Sequence, residues 1–99
     1  MSNDLAGSRR FGTTPYVPRK IIEVLRLSDN LNMMALQHLN FIESAPTEIR
    51  LAYVHGRADG HIHGSDEGGA LTGQQGAVLQ NAFQSAHDAR LAQLKGRDR

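Results

Sequence analysis

Cysteine is absent from this sequence of 99 residues, which excludes disulfide bonds, thiolate metal ligands and a cysteine nucleophile. Tryptophan is also absent, and phenylalanine and tyrosine are few, so the core has to be built from leucine, isoleucine, valine, methionine and alanine. No apolar run approaches the ~20 residues that span a bilayer. The first ten residues carry no apolar segment of the signal-peptide type. We therefore expect a cytoplasmic protein with no membrane contact.

Charge is nearly balanced overall, with a net charge of +1, but it is unevenly distributed. Residues 1–27 and 69–99 carry an excess of basic side chains, whereas residues 28–68 carry an excess of acidic ones. Such basic ends either touch a polyanion or act as solvated termini that keep the chain soluble. The length fits one domain and not two.

Apolar residues recur at helical spacing along most of the chain, and no segment alternates with period two for long enough to form a strand. Residues 1–16 are rich in serine, asparagine, glycine and threonine and lack any periodic apolar pattern. The sequence therefore predicts an all-α protein, a small three- to four-helix domain with a flexible N-terminal arm. We place the basic arm at 1–16, the helical domain at 17–96 and a disordered tail at 97–99.

The first two helices are separated by a serine. Pro18 suits the first turn of a helix, because its φ angle is already helical. Ser28 is a good N-cap for a second helix over residues 29–43, and Asp29 adds a favourable negative charge in its first turn. A single continuous helix through Ser28 is the alternative.

The second helix has apolar residues on more than one side. Its main stripe is expected to face the core and consists of Leu31, Ala35, Leu39 and Ile42. Met34 and Phe41 lie well away from this stripe. They either contact a partner or are covered by the first helix or the N-terminal arm.

The third helix is predicted from Pro46 to about Asp59. Small residues recur every four positions at Ala52, Gly56 and Gly60, a pattern that lets a neighbouring helix approach closely. Leucine, valine and alanine line the opposite side, so we expect this helix to be packed on both faces. Residues 61–71 are glycine-rich and are interpreted as a mobile loop, with a last frayed turn of helix at its start as the alternative.

A fourth helix follows this loop. Thr72 and Gln75 form a capping-box pattern at its start. The helix is expected to run to about Lys95, and Gly96 is expected to end it.

Histidine and carboxylate side chains cluster in the middle of the chain, at His55, Asp59, His61 and His63. These residue types are ligands of zinc, nickel and copper. A structural site needs several ligands that converge from rigid elements, whereas a glycine-rich loop does not hold them. We therefore predict no metal site and no cofactor, and these four residues are the ones to test. No arrangement of a nucleophile and a base is evident, so the protein is not expected to be an enzyme.

We expect a bacterial regulator, adaptor or inhibitor that binds another macromolecule, either a protein partner or a second copy of itself as a homodimer. The predicted partner-binding residues are Met34, Phe41, Arg9, Arg10 and Phe11. A DNA-binding regulator that uses its basic termini is the first alternative. A metal-binding protein with a histidine-rich loop is the second.

Overall fold

Four α-helices follow one another in the computed structural model, which describes residues 17–97. They are α1 (Pro18–Val24), α2 (Asp29–Glu43), α3 (Glu48–Glu67) and α4 (Gly73–Arg97), and there is no strand among the described residues. The predicted all-α class with four helices is therefore confirmed. The arm predicted over 1–16 lies outside the described residues, and Arg97, which was placed in the tail, is the last residue of α4.

The break between α1 and α2 is real, so the two are not one continuous helix. Arg26 has a φ angle of 53°, a left-handed conformation that ends α1 and turns the chain. The hydroxyl of Ser28 accepts a hydrogen bond from the Leu31 backbone N–H at 3.4 Å, and Asp29 occupies the first turn of α2. The predicted N-cap is confirmed.

The last two helices are capped by threonines. The Thr47 hydroxyl accepts a hydrogen bond from the Arg50 N–H at 3.0 Å, so α3 begins two residues later than the predicted start at Pro46. At the start of α4, the Gln75 N–H donates to the Thr72 hydroxyl and the Thr72 N–H donates to the Gln75 side-chain oxygen, both at 3.0 Å. This is the capping box that the sequence predicts.

Two further predicted boundaries are wrong. Residues 60–67 continue α3 and do not belong to a loop, although the segment contains Gly60 and Gly64. Ile62 is buried against the core, and its burial offsets the low helix propensity of the glycines around it. Gly96 does not end α4, which continues to Arg97.

The core draws on all four helices, and α4 packs against each of the other three. Its largest fully buried apolar side chains are Ile22, Leu39, Ile42, Leu51 and Phe83. The predicted main stripe of α2 faces this core. The third helix packs against α2 and α4, and no other described helix contacts it.

The prediction that both faces of α3 are packed is wrong. A Cβ atom built on Gly56 or Gly60 would meet nothing within 4 Å, and Ala52 is exposed. Close helix packing occurs instead at Gly76 of α4, where a Cβ atom would lie 3.3 Å from Ile62 Cγ2.

Candidate partner-binding site

A side of α2 that lies away from its main stripe carries partly uncovered apolar side chains. Met34 is 38% exposed and Phe41 is 56% exposed, two helical turns further along. Both side chains therefore keep part of their surface in water. Complete burial of a side chain of this size contributes roughly 1.5–3 kcal/mol, and the fold of one chain forgoes the share that belongs to the exposed surface.

Phe41 lies at the edge of a groove between α2 and α3 with a volume of about 240 Å3. The buried side chain of Val54 contributes to the lining of this groove, and the half-exposed ring of Tyr53 (51%) stands across it from α2. The full lining is His38, Phe41, Arg50, Tyr53, Val54 and Arg57. The groove has room for one large apolar side chain from another molecule.

Two arginines give the groove a cationic edge. The guanidinium carbon of Arg50 lies 5.0 Å from the centre of the Tyr53 ring, and that of Arg57 lies 5.8 Å from it. Both distances are in the range of cation–π interactions, which hold the two side chains beside the aromatic ring. The lining includes no carboxylate.

Two pairs of histidine rings lie at the contacts that α3 makes with α2 and α4. The rings of His38 and His61 are 5.2 Å apart between α2 and α3, and those of His55 and His87 stack at 4.6 Å between α3 and α4. Burial lowers the pKa of His38, and the nearby His61 and Arg57 lower it further. His38 is therefore neutral near pH 7.

The predicted metal candidates do not converge. His61 and His63 lie on a helix rather than in a loop, so His61 points toward His38 of α2 whereas His63 is exposed. His55 lies 3.9 Å from Asp59, on the side of α3 that faces α4. Within residues 17–97, no three histidine or carboxylate side chains are grouped so that they could hold a metal ion.

A larger cavity of about 380 Å3 lies between α2 and α4, but its surroundings are internally bonded. Arg90 donates a hydrogen bond to the Ala45 carbonyl at 2.9 Å, and Glu43 pairs with Arg19 at 3.3 Å. These polar groups bond within the fold, so this cavity offers a partner less than the groove beside Phe41 does.

Of the predicted partner-binding residues, Met34 and Phe41 are exposed and Phe41 lines the groove. Arg9, Arg10 and Phe11 lie outside the described residues. Arg50 and Arg57 were not among the predicted partner-binding residues. Their spacing of seven residues, with Tyr53 between them, is the signal that places them on one side of a helix.

The chain matches no protein-family model, and neither the curated proteins nor the solved structures contain a match to it. Across residues 17–97, no helix combines the length and the apolar character needed to cross a membrane.

Proposed function

We propose that the protein acts without catalysis, by binding another protein through the side of α2 that carries Met34 and Phe41 and through the adjoining groove. The observation that carries this proposal is the pairing of Phe41 and Tyr53 across a groove whose edge is formed by two arginines. Aromatic residues, methionine and arginine are the residue types enriched where proteins bind one another.

The chemistry of the groove favours a particular partner segment. An apolar side chain fits between Phe41 and Tyr53 above Val54, because these residues remove it from water. Carboxylates beside that side chain would meet Arg50 and Arg57, which present guanidinium groups without an acidic neighbour in the lining. The expected partner therefore carries an exposed apolar residue next to acidic ones.

The experiment replaces the two apolar side chains of α2 with polar ones, as Met34→Gln together with Phe41→Ser. The control replaces two exposed polar residues of α4 that do not line the groove, as Gln74→Ser together with Asn81→Ser. Each full-length protein is tagged and used for affinity capture from native lysate with quantitative mass spectrometry. Sedimentation velocity reports self-association in parallel.

The proposal expects the apolar double variant to keep its helical circular dichroism and melting temperature while a partner captured by the control is lost. If the apolar double variant is monomeric and has lost its helical circular dichroism, Met34 and Phe41 belong to the core and the proposal is wrong. If both variants capture the same proteins in equal amounts, binding does not use this side of α2.

A further inference from the structure

The surface of α3 that points away from the core has no partner within the described residues. We define the outer face of α3 as Ile49, Ala52, Tyr53, Gly56 and Gly60. Ile49 is 85% exposed and half of Tyr53 is exposed, so two large apolar side chains face solvent on neighbouring turns. A helix face of this kind covers apolar area when a second helix packs against it.

The two edges of this outer face carry opposite charges. Arg50 and Arg57 form the edge toward α2, since both line the groove with His38. Asp59 lies on the opposite edge, toward α4, because it contacts His55, whose ring stacks on that of an α4 histidine.

Helical spacing extends the acidic edge. Glu48 and Asp66 are eleven and seven residues from Asp59, so both lie on the same side of the helix as that carboxylate. Asp88 of α4 adds a further exposed carboxylate beside this edge, and hydrogen bonds from His87 and Gln84 lower its pKa.

We infer that the outer face of α3 binds the same face of a second copy of this chain, with the two helices parallel and related by a two-fold axis that runs along them. This rotation places the cationic edge of each copy opposite the acidic edge of the other, on both sides of the contact. An antiparallel pair would place arginine edge against arginine edge. The charges therefore select both the occupant and its orientation.

The residues between the edges suit a close contact. Ile49 and Tyr53 supply apolar area, and the small residues that follow let the two backbones approach. Gly56 and Gly60 reduce helix stability relative to alanine, and none of the described residues occupies the space they leave. In this arrangement the two α3 helices cross at Gly56 and diverge toward their ends. Glu67, at the end of α3, is therefore kept apart from Glu67 of the second copy.

Charge exchange tests the pairing directly. Arg57→Glu places acid opposite acid at both edges, and Asp59→Arg places base opposite base, so each variant alone is repelled from its own kind. An equimolar mixture of the two restores opposite charges at both edges. The inference expects sedimentation equilibrium to show a wild-type dimer whose dissociation constant rises roughly tenfold in each variant and recovers in the mixture.

Circular dichroism on each variant checks that the fold is intact. A wild-type chain that stays monomeric at millimolar concentration overturns the inference. So does a dimer that both charge variants form as tightly as the wild type. A dimer that is lost on Met34→Gln with Phe41→Ser but kept in the charge variants would assign self-association to α2 and contradict the role given to α3.

Orientation is tested with single cysteines, because the natural chain has none. Ala52→Cys and Gly60→Cys are each expected to form disulfide-linked dimers under mild oxidation, and faster than Gly73→Cys, an exposed control at the start of α4. If the Ala52→Cys protein instead crosslinks to the Gly60→Cys protein when the two are mixed, the helices are antiparallel and the parallel arrangement is wrong.

Discussion

The inner and outer faces of α3 contain similar numbers of apolar residues, but the inner face is buried and the outer face is exposed. Leu51, Val54, Ala58 and Ile62 are buried against the core. Ile49 and Tyr53, one or two positions away along the chain, face solvent. The difference arises because α2 and α4 pack against the inner face of α3, whereas no described helix covers the outer face. The spacing of apolar residues therefore indicates that a helix has an apolar face. Whether that face is buried depends on where the neighbouring helices lie.

The largest expected effect separates the two faces by truncation. Leu51→Ala removes a fully buried side chain and should lower the free energy of unfolding by about 2–5 kcal/mol. Ile49→Ala, on the outer face, should change it by less than about 0.5 kcal/mol. Urea denaturation at low micromolar protein concentration measures both. Equal losses in the two variants would mean that Ile49 is also packed within the chain.

A smaller effect is expected from filling the two kinds of glycine site. Gly76→Leu should destabilise the fold by about 1–3 kcal/mol, because even a Cβ atom there lies 3.3 Å from Ile62. Gly56→Leu meets open space and should stabilise the helix by up to about 1 kcal/mol, since leucine has the higher helix propensity.

The stability of the single chain is measured on dilute samples of both variants, where association does not contribute. The melting temperature of each variant then reports only the effect of the added side chain on folding. If Gly56→Leu instead lowers the melting temperature by as much as Gly76→Leu, a helix of the same chain occupies the outer face of α3.

The smallest expected effect lies at the edge where α3 meets α2, and it depends on pH. The pKa of His38 is lowered from its ordinary value of 6.5 by burial and by the neighbouring His61 and Arg57; the ring of Phe83 faces it from α4. The unfolded chain therefore binds more protons than the folded chain below about pH 6.5. Stability contributed by neutral His38 is complete above that pH and is lost as the pH falls through the lower folded pKa.

Replacing the titrating ring tests this dependence. In His38→Gln, the free energy of unfolding should fall less steeply between about pH 7 and pH 5 than in the wild type. Urea titrations at several pH values give the two slopes, with His63→Gln, an exposed histidine, as the control. Identical slopes for wild type and His38→Gln would show that the pKa of His38 is the same in the folded and the unfolded chain.

Much of the fold was predictable from local signals. Pro18, Ser28 and the Thr72–Gln75 pair mark helix starts through backbone geometry and hydrogen bonds that involve neighbours in sequence. The main stripe of α2 was also predictable, because four apolar residues at helical spacing admit one buried side.

The extent of α3 and the groove were not predictable in this way. Residues 60–67 stay helical because Ile62 packs against α4 near Gly76, a contact between segments that no local pattern reveals. The same applies to the groove. Arg50 and Arg57 stand opposite Phe41 because α2 and α3 are adjacent, and their charge was read as part of an acidic middle segment rather than as one cationic edge.

Apolar side chains of α2 and of the outer face of α3 are exposed in the single chain. Hydroxyl-radical footprinting of the full-length protein at low concentration, read by mass spectrometry, tests this exposure residue by residue. We predict rapid modification of Met34, Phe41 and Tyr53, with Phe83 protected in the core. Protection of Met34, Phe41 and Tyr53 to the level of Phe83 in the monomer would show that another part of the same chain covers them, and both proposed contact surfaces would then be wrong.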